Sequence, residues 1–125
     1  MSREQKLRNL EFGKFAEQIA FEFYVSQGYA IRERNWRHGK IEIDLISQKG
    51  NVIVFTEVKA RSGKDTDPLE AVTSEKRRFM MRAADSYLRN MKGNFEYRYD
   101  IFTLTGDMTS YKTDFYPDAF LSPLL

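Results

Sequence analysis

Two neighbouring stretches decide the fold: Ile41-Glu42-Ile43-Asp44-Leu45-Ile46, and after a short gap Val52-Ile53-Val54-Phe55-Thr56-Glu57-Val58-Lys59. Both have the alternation of polar and apolar side chains that is typical of strands. The segment between them, Gln48-Lys49-Gly50-Asn51, has the composition of a hairpin loop. The sequence therefore predicts an antiparallel hairpin.

Folding the hairpin back on itself gathers charge. In strand periodicity Glu42 and Asp44 share a side, as do Glu57 and Lys59, and a loop centred near residues 49 and 50 brings Asp44 within about one residue pair of Glu57. Like charges at that spacing destabilise a sheet, and Lys59 supplies only one counter-charge. A divalent cation would complete the balance, and an all-oxygen ligand set suits Mg²⁺.

Size and composition describe an ordinary globular chain. Its 125 residues fit one domain, spanning 1–125, in which 108–125 is either an extended tail or an edge strand. Net charge is +2 and the pI is near 8.8, values compatible with nucleic acid as a partner. The absence of cysteine excludes a thiolate zinc site and a cysteine nucleophile, and the single histidine, His38, excludes any site that needs two.

The N-terminal residues and the lengths of the apolar runs predict the cellular location of the protein. The first residues, Met1-Ser2-Arg3-Glu4-Gln5, contain no apolar segment of a signal peptide, and no run approaches 18 apolar residues. We therefore expect neither export nor membrane insertion, and a cytoplasmic location.

The remaining elements follow from periodicity and from start and stop signals. A long first helix runs to Gly28, Tyr29 to Arg37 forms a strand, and Thr73 caps a second helix. Tyr97 to Thr105 forms a further strand, and Tyr111 to Phe120 is a last short strand or a tail. The hairpin requires antiparallel pairing and the crossover through the second helix allows a parallel neighbour, which predicts an α/β fold with helices packed on a mixed sheet.

Asp44, a gap, and then Glu57-Val58-Lys59 resemble the core signature of the PD-(D/E)XK nuclease superfamily. The resemblance implies a restriction endonuclease-like fold, a mixed sheet flanked by helices. It also implies that Asp44 and Glu57 bind Mg²⁺ or Mn²⁺, and that Lys59 positions the attacking water and stabilises charge. An acidic residue on the first helix often joins such sites, and Glu17 matches that position, although it is equally placed as an ordinary exposed helix residue.

The resemblance narrows to the YraN-like family of small bacterial proteins, which is related by fold to archaeal Holliday junction resolvases. Two positions depart from its pattern, because Ile41 and Thr66 replace glycines. Ile43 stands where the wider superfamily has a proline before Asp44, a departure that is usual in this branch. The matching positions are Gly13, Ala16, Glu17, Gly28, Tyr29, Arg34, Asn35, Glu42 to Ile46, Val54, Phe55, Glu57 to Lys59, Arg61, Pro68, Glu70 to Val72, Lys76, Ala84, Tyr87 and Leu88.

Basic residues surround the acidic ones in sequence and are candidates for phosphate contacts. Those of the second helix have a solvated surface as their alternative role. Glu42 is a metal ligand, an indirect partner of the metal, or a salt-bridge partner of Lys59 or Lys40. The candidate nucleic-acid contacts are Arg32, Arg34, Arg37, Lys40, Arg61, Lys76, Arg77 and Arg78.

Three functions remain open at this point. The leading hypothesis is a Mg²⁺-dependent endonuclease or resolvase-like domain that hydrolyses phosphodiesters in DNA, including branched DNA. The second is a nucleic-acid-binding module on the same fold without turnover. The third is a protein-interaction module, in which Phe115-Tyr116-Pro117 and Phe120 form a docking or homodimer surface. The nuclease hypothesis predicts that Asp44, Glu57 and Lys59 lie side by side at one edge of the sheet, with Glu17 facing them.

Overall fold

Five strands form one mixed sheet with a helix on each face, in a computed structural model that describes residues 1–63 and 73–119. The family positions at Pro68 and Glu70 to Val72 lie outside the described residues, as does Phe120. Within the described ranges, no helix combines the length and apolarity needed to cross a bilayer. The elements are α1 (Arg3–Ser26), β1 (Ala30–His38), β2 (Ile41–Lys49), β3 (Val52–Arg61), α2 (Ser74–Arg89), β4 (Glu96–Gly106) and β5 (Tyr111–Tyr116).

The strands lie in the sheet in sequence order, β1-β2-β3-β4-β5. Neighbouring strands are antiparallel except β3 and β4, which are parallel and are joined through the crossover that contains α2. The predicted mixed α/β sheet is confirmed, with β2 and β3 as its central hairpin. Of the two alternatives for the C-terminal segment, the edge strand is observed over Tyr111–Tyr116.

Helix α1 begins and ends where the sequence signals lie. The Ser2 hydroxyl accepts the Gln5 N–H at 3.0 Å, and Gly28, with φ of 88°, supplies the left-handed residue that follows the helix. Residues 3–11 of the helix are exposed, whereas Ala16, Ala20 and Tyr24 are fully buried against the sheet. The small alanine side chains let the helix approach the strands closely.

A buried polar network fixes α1 to the sheet. The Tyr24 hydroxyl donates to Asp100 at 2.7 Å and accepts from Thr56 at 2.8 Å, and burial followed by the Asp100 charge raises the pKa of Tyr24. Asp100 also accepts from Arg98 at 2.9 Å and from the Asp118 N–H at 2.9 Å. These bonds join α1, two central strands and the chain after β5, so they hold the face of α1 that carries Glu17 in place.

Two aromatic residues of β5, Phe115 and Tyr116, pack against the core. Phe115 packs on Phe23 and Tyr24, with ring centroids 4.8 and 6.0 Å apart, and Tyr116 packs against the cluster on the opposite face. Phe115 therefore contributes to internal packing, which is the alternative to a docking role for this residue.

Helix α2 covers the other face. The Thr73 hydroxyl accepts the Lys76 N–H at 3.1 Å, which confirms the predicted cap. The buried side chains of α2 pack on Ile43 and Phe55 of the central hairpin. These helix residues are Met80, Ala83, Ala84 and Tyr87. Lys76, in the first turn of α2, reaches Glu57 of β3.

Candidate metal and catalytic site

The site forms where the two central strands separate. Pairing of β2 with β3 runs from Lys49 opposite Val52 to Leu45 opposite Thr56. Beyond that pair the Asp44 carboxylate accepts the backbone N–H of Val58 at 2.8 Å. Asp44 therefore takes the place of a strand partner and lies directly beside the Glu57-Val58-Lys59 segment.

The alternation of β2 breaks at this point. Ile43 and Ile46 pack in the cluster under α2, whereas Leu45 packs with Tyr24 on the α1 face. A strict period of two would place Ile43 and Leu45 on one side. The position of Asp44 thus follows from its bond to Val58 and not from parity.

Three other carboxyl groups, those of Glu57, Glu17 and Glu42, act electrostatically on Asp44. Burial raises its pKa to about 8, helped in decreasing order by the charges of Glu57, Glu17 and Glu42, while the Val58 N–H opposes the shift. All three acidic residues predicted to accompany Asp44 are therefore near enough to act on it electrostatically. Such repulsion is what a bound cation would relieve.

Two lysines share one oxygen of Glu57. This carboxylate is 4% exposed, and its Oε1 lies 3.4 Å from Lys59 Nζ and 3.4 Å from Lys76 Nζ. Its Oε2 is buried and has no hydrogen-bond partner among the described residues. The sequence pairs Glu57 with Lys59 correctly, but it assigns Lys76 only to a nucleic-acid surface, whereas the first turn of α2 brings Lys76 to the acidic cluster.

Glu17 and Glu42 line a cleft of about 800 Å³ between α1 and the β1–β2 hairpin. Asn35 donates to Glu17 at 3.0 Å from a backbone with φ of 52°, a left-handed conformation that asparagine tolerates better than most residues. Glu42 Oε2 lies 3.6 Å from Arg37 Nη2, so Glu42 forms an ion pair with this arginine. The sequence had suggested Lys59 or Lys40 as its partner. Asn35 is a positioning residue that periodicity did not indicate, although it is one of the positions that match the YraN-like family.

These carboxylates are not arranged as a ready ligand set. Within residues 1–63 and 73–119, no group of three or more acidic or histidine side chains is placed to hold a metal ion. An amide N–H bonds to Asp44, and two ammonium groups lie on Glu57. The predicted position at one edge of the sheet is also wrong in detail, because β2 and β3 are interior strands.

The predicted basic residues of β1 divide between the two faces. Arg34 donates to Gln18 of α1 at 3.0 Å, but Arg32 donates to Tyr87 of α2 at 2.8 Å. The pairing of β1 with β2 shifts between Ile31 and Glu33, and this bulge at Arg32 changes the side on which it lies. Arg32 therefore lies on the α2 face of the sheet, whereas Arg34 lies on the α1 face.

The other basic residues lie at different distances from the cluster. Arg37 and Arg34 line the cleft, and Lys40 is exposed in the tight β1–β2 turn. Arg61, at the end of β3, lines a separate cleft beside the first turns of α1. On α2, Arg78 is exposed whereas Arg77 is half-buried, so the two arginines are not one surface pair.

A mixed sheet between two helices, with an aspartate and a Glu-x-Lys segment where its central hairpin separates, is an α/β fold of the restriction endonuclease-like type. Residues 16–104 match the family described as "Uncharacterised protein family UPF0102", so the chain belongs to the UPF0102 family, the YraN-like family that the sequence resembles.

Relatives in that family cover almost the whole chain. A UPF0102 protein of Phocaeicola vulgatus is 36% identical over 115 residues, 91% of this chain and 95% of the relative. One of Bacteroides thetaiotaomicron is 38% identical over 115 residues, with the same coverage of 91% and 95%. One of Dictyoglomus turgidum is 34% identical over 120 residues, 91% of this chain and 100% of the relative.

Proposed function

We propose that this protein is a metal-dependent nuclease domain that hydrolyses phosphodiester bonds in DNA. One observation carries the proposal: Asp44, held beside Glu57 by the Val58 amide, has its pKa raised to about 8 among three further carboxyl groups. A fold tolerates such repulsion at a functional site more readily than elsewhere. The substrate class follows from the charge of the surrounding residues and from the resemblance to nucleases.

The donor set fits Mg²⁺ or Mn²⁺. The buried Glu57 Oε2 lacks a hydrogen-bond partner among the described residues, which is the state expected of an oxygen reserved for a cation. Asp44 and Glu57 would hold the ion, with Glu17 and Glu42 on the cleft side. Hard oxygen ligands of this kind, completed by water and phosphate, are what Mg²⁺ prefers. A bound ion would supply an acidified water and a Lewis acid for the phosphoryl oxygen.

Lys59 is our candidate for the cationic catalytic group. Its ammonium lies 3.4 Å from Glu57 Oε1 and is about one-third exposed, so it borders both the carboxylates and the solvent from which DNA would arrive. From there it would donate a hydrogen bond to the attacking water and neutralise charge that develops on the phosphate. Lys76 would then balance Glu57 while Lys59 is engaged with substrate.

The basic residues near the cleft would bind the phosphate backbone. Arg34 is fixed by Gln18 and stacks over Phe21 at 4.4 Å, and Arg37 stands at the mouth with most of its side chain in solvent. Contacts of this kind give affinity without sequence preference and weaken with salt. Branched DNA is one candidate substrate because resolvases share the fold, and the cleavage assay decides it.

The test is a cleavage panel of single-stranded, duplex, flap and four-way DNA, with Mg²⁺, with Mn²⁺ and with EDTA. We expect metal-dependent cleavage that Lys59→Ala abolishes while binding falls only modestly, since one cation among several is lost. Lys112→Ala removes an exposed lysine of β5 and should cut as the wild type does. Absence of cleavage by pure wild-type protein with either metal would end the nuclease proposal.

A second candidate is a nucleic-acid-binding module without turnover. It is favoured by the two lysines that already neutralise Glu57 and by the lack of a preformed ligand group among the described residues. It predicts DNA binding that is indifferent to Mg²⁺ and no cleavage. The same panel, read by fluorescence anisotropy, separates the two functions.

A further inference from the structure

Gly13 is a glycine that the fold does not need. It lies in the middle of the uninterrupted helix α1 and is absent from the residues with positive φ. A glycine with helical dihedrals weakens a helix relative to alanine. A Cβ added at Gly13 would meet no heavy atom within 4 Å, so internal packing does not exclude a side chain there.

The same face of α1 shows what internal packing requires. Ala16 and Ala20, one and two turns further on, are fully buried against the sheet, and alanine suffices for that close contact. Gly13 is half-buried but opens into the cleft of about 800 Å³ that also contains Lys14 and Glu17. The missing side chain therefore leaves room on the cleft side and not on the sheet side.

Basic side chains line the walls of the cleft, where they could contact phosphates, and acidic side chains lie at its base. Lys14 is exposed beside Gly13, and Arg34 and Arg37 line the opposite wall formed by β1. Glu17, on the adjoining turn of α1, contributes to the repulsion at Asp44, so the cleft leads to the acidic cluster. A strand entering along this wall would pass Gly13 before it reached the carboxylates.

We propose that Gly13 is the point at which a nucleic-acid strand runs against helix α1, and that the residue is a glycine because the sugar-phosphate backbone approaches the helix there. Glycine is the residue that allows close approach of a ligand to a protein backbone. Lys14 and Arg37 contact the flanking phosphates on either side of that point. This inference rests on the proposed function in one respect, since the strand in the cleft is the one presented to Asp44 and Glu57.

Substitution of Gly13 separates fold from ligand because the two roles predict opposite signs. Gly13→Ala should raise Tm by about 4 °C through better helix propensity. It should weaken DNA binding by about tenfold, the loss expected when one hydrogen bond to a charged group is displaced. Gly13→Leu should weaken binding further, with Tm again at or above that of the wild type. No charge changes, so the slope of log affinity against log salt should stay the same.

The measurement is fluorescence anisotropy with labelled single-stranded and duplex DNA in EDTA and in Ca²⁺, beside thermal melts. Ser86→Ala is the matched control, because it improves helix propensity at a half-buried position of α2, as Gly13→Ala does in α1, and should leave affinity unchanged. A lower Tm for Gly13→Ala would mean that the fold requires the glycine, and unchanged affinity would mean that no strand passes there. Either result overturns the inference.

Failure of this inference and failure of the proposed function give different results. Wild-type protein that binds DNA but cuts nothing overturns the nuclease and leaves the role of Gly13 intact. Gly13→Ala protein that binds as the wild type does, while the wild type cuts DNA, overturns the role of Gly13 and leaves the nuclease. Wild-type protein that binds neither single-stranded nor duplex DNA would reject the inference, because no nucleic-acid strand would then occupy the cleft.

Discussion

Two aspartates on central strands, Asp100 and Asp44, differ in burial and in the groups that surround their carboxylates. Asp100 is fully buried and accepts from Tyr24, from Arg98 and from the Asp118 N–H. Asp44 has the Val58 N–H and is otherwise set among like charges that, with burial, raise its pKa to about 8.

The contrast distinguishes Asp100, whose charge is balanced by donors of the protein itself, from Asp44, whose charge is balanced only in part. Asp100 meets donors from its own chain on several sides, so its charge is compensated within the molecule. Asp44 is compensated only in part, and the missing positive charge must come from a proton or a cation. Breaking each carboxylate in turn should therefore change different properties.

The largest effect should come from the structural carboxylate. Asp100→Asn leaves the Arg98 guanidinium without its ionic partner and disturbs the bond from Tyr24. We expect a loss of about 3 kcal/mol in the free energy of unfolding, measured by urea denaturation. Asp114→Asn, which removes a half-exposed partner of Lys112 at 3.7 Å, is the control and should cost less than about 0.5 kcal/mol. Equal effects would erase the distinction between the two kinds of carboxylate.

The second test uses pH. The pKa of Asp44 rises from 3.8 to about 8 on folding, so the folded state binds its proton more tightly than the unfolded state does. The stabilisation is present below about pH 4 and is lost as pH rises through 8. In EDTA we expect the contribution to fall by about 2 kcal/mol over that window, less than the full shift implies because Asp44 has partial access to water. Denaturation curves of wild type and Asp44→Asn across the window isolate this group, since the variant lacks the titration.

Asp44→Asn is the third test, and its two readouts should move in opposite directions. The amide oxygen can still accept the Val58 N–H, while the repulsion with Glu57 disappears. At pH 8 without metal we expect the variant to be more stable by about 1 kcal/mol, and its Mg²⁺ or Mn²⁺ affinity to fall at least about tenfold. Calorimetric titration measures the second quantity. Asp85→Asn, on the surface of α2, should change neither, and an Asp44 variant with full metal affinity would remove Asp44 from the ligands.

The smallest effect concerns the lysine that the sequence assigned to the surface. Lys76 lies on the same Glu57 oxygen as Lys59 and opposes a cation at that position. Lys76→Gln should therefore tighten Mn²⁺ binding by about threefold, an energy below 1 kcal/mol. Arg78→Gln removes an equal charge from an exposed position of the same helix and should leave metal affinity unchanged. Weaker metal binding in Lys76→Gln would make that lysine a support of the site and not a competitor.

The fold could be predicted from sequence because its signals are local. The hairpin loop near residues 49 and 50, the Thr73 cap and the stop at Gly28 each depend on residues within a few positions of one another. The pairing of Glu57 with Lys59 follows from strand parity alone. These elements were placed correctly without knowledge of the tertiary structure.

The site was predicted less completely because two of its features break the period of two. A bulge at Arg32 puts that residue on the α2 face, and the alternation fails between Ile43 and Ile46 around Asp44. The contact of Lys76 with Glu57 was not predicted, because their distance depends on how the crossover returns, which no local pattern states. Asp100 escaped notice because its partner Tyr24 is 76 residues away in sequence.

The anchoring of α1 through Tyr24 determines which part of the helix opens locally. Amide protons of the exposed residues 3–11 should exchange with solvent through local fraying, which needs little free energy. Those around Ala20 and Tyr24 should exchange only when the sheet itself opens. The boundary between the two regimes falls between Gly13 and Glu17. One wall of the cleft can thus loosen while the acidic residue one turn away stays where the sheet holds it.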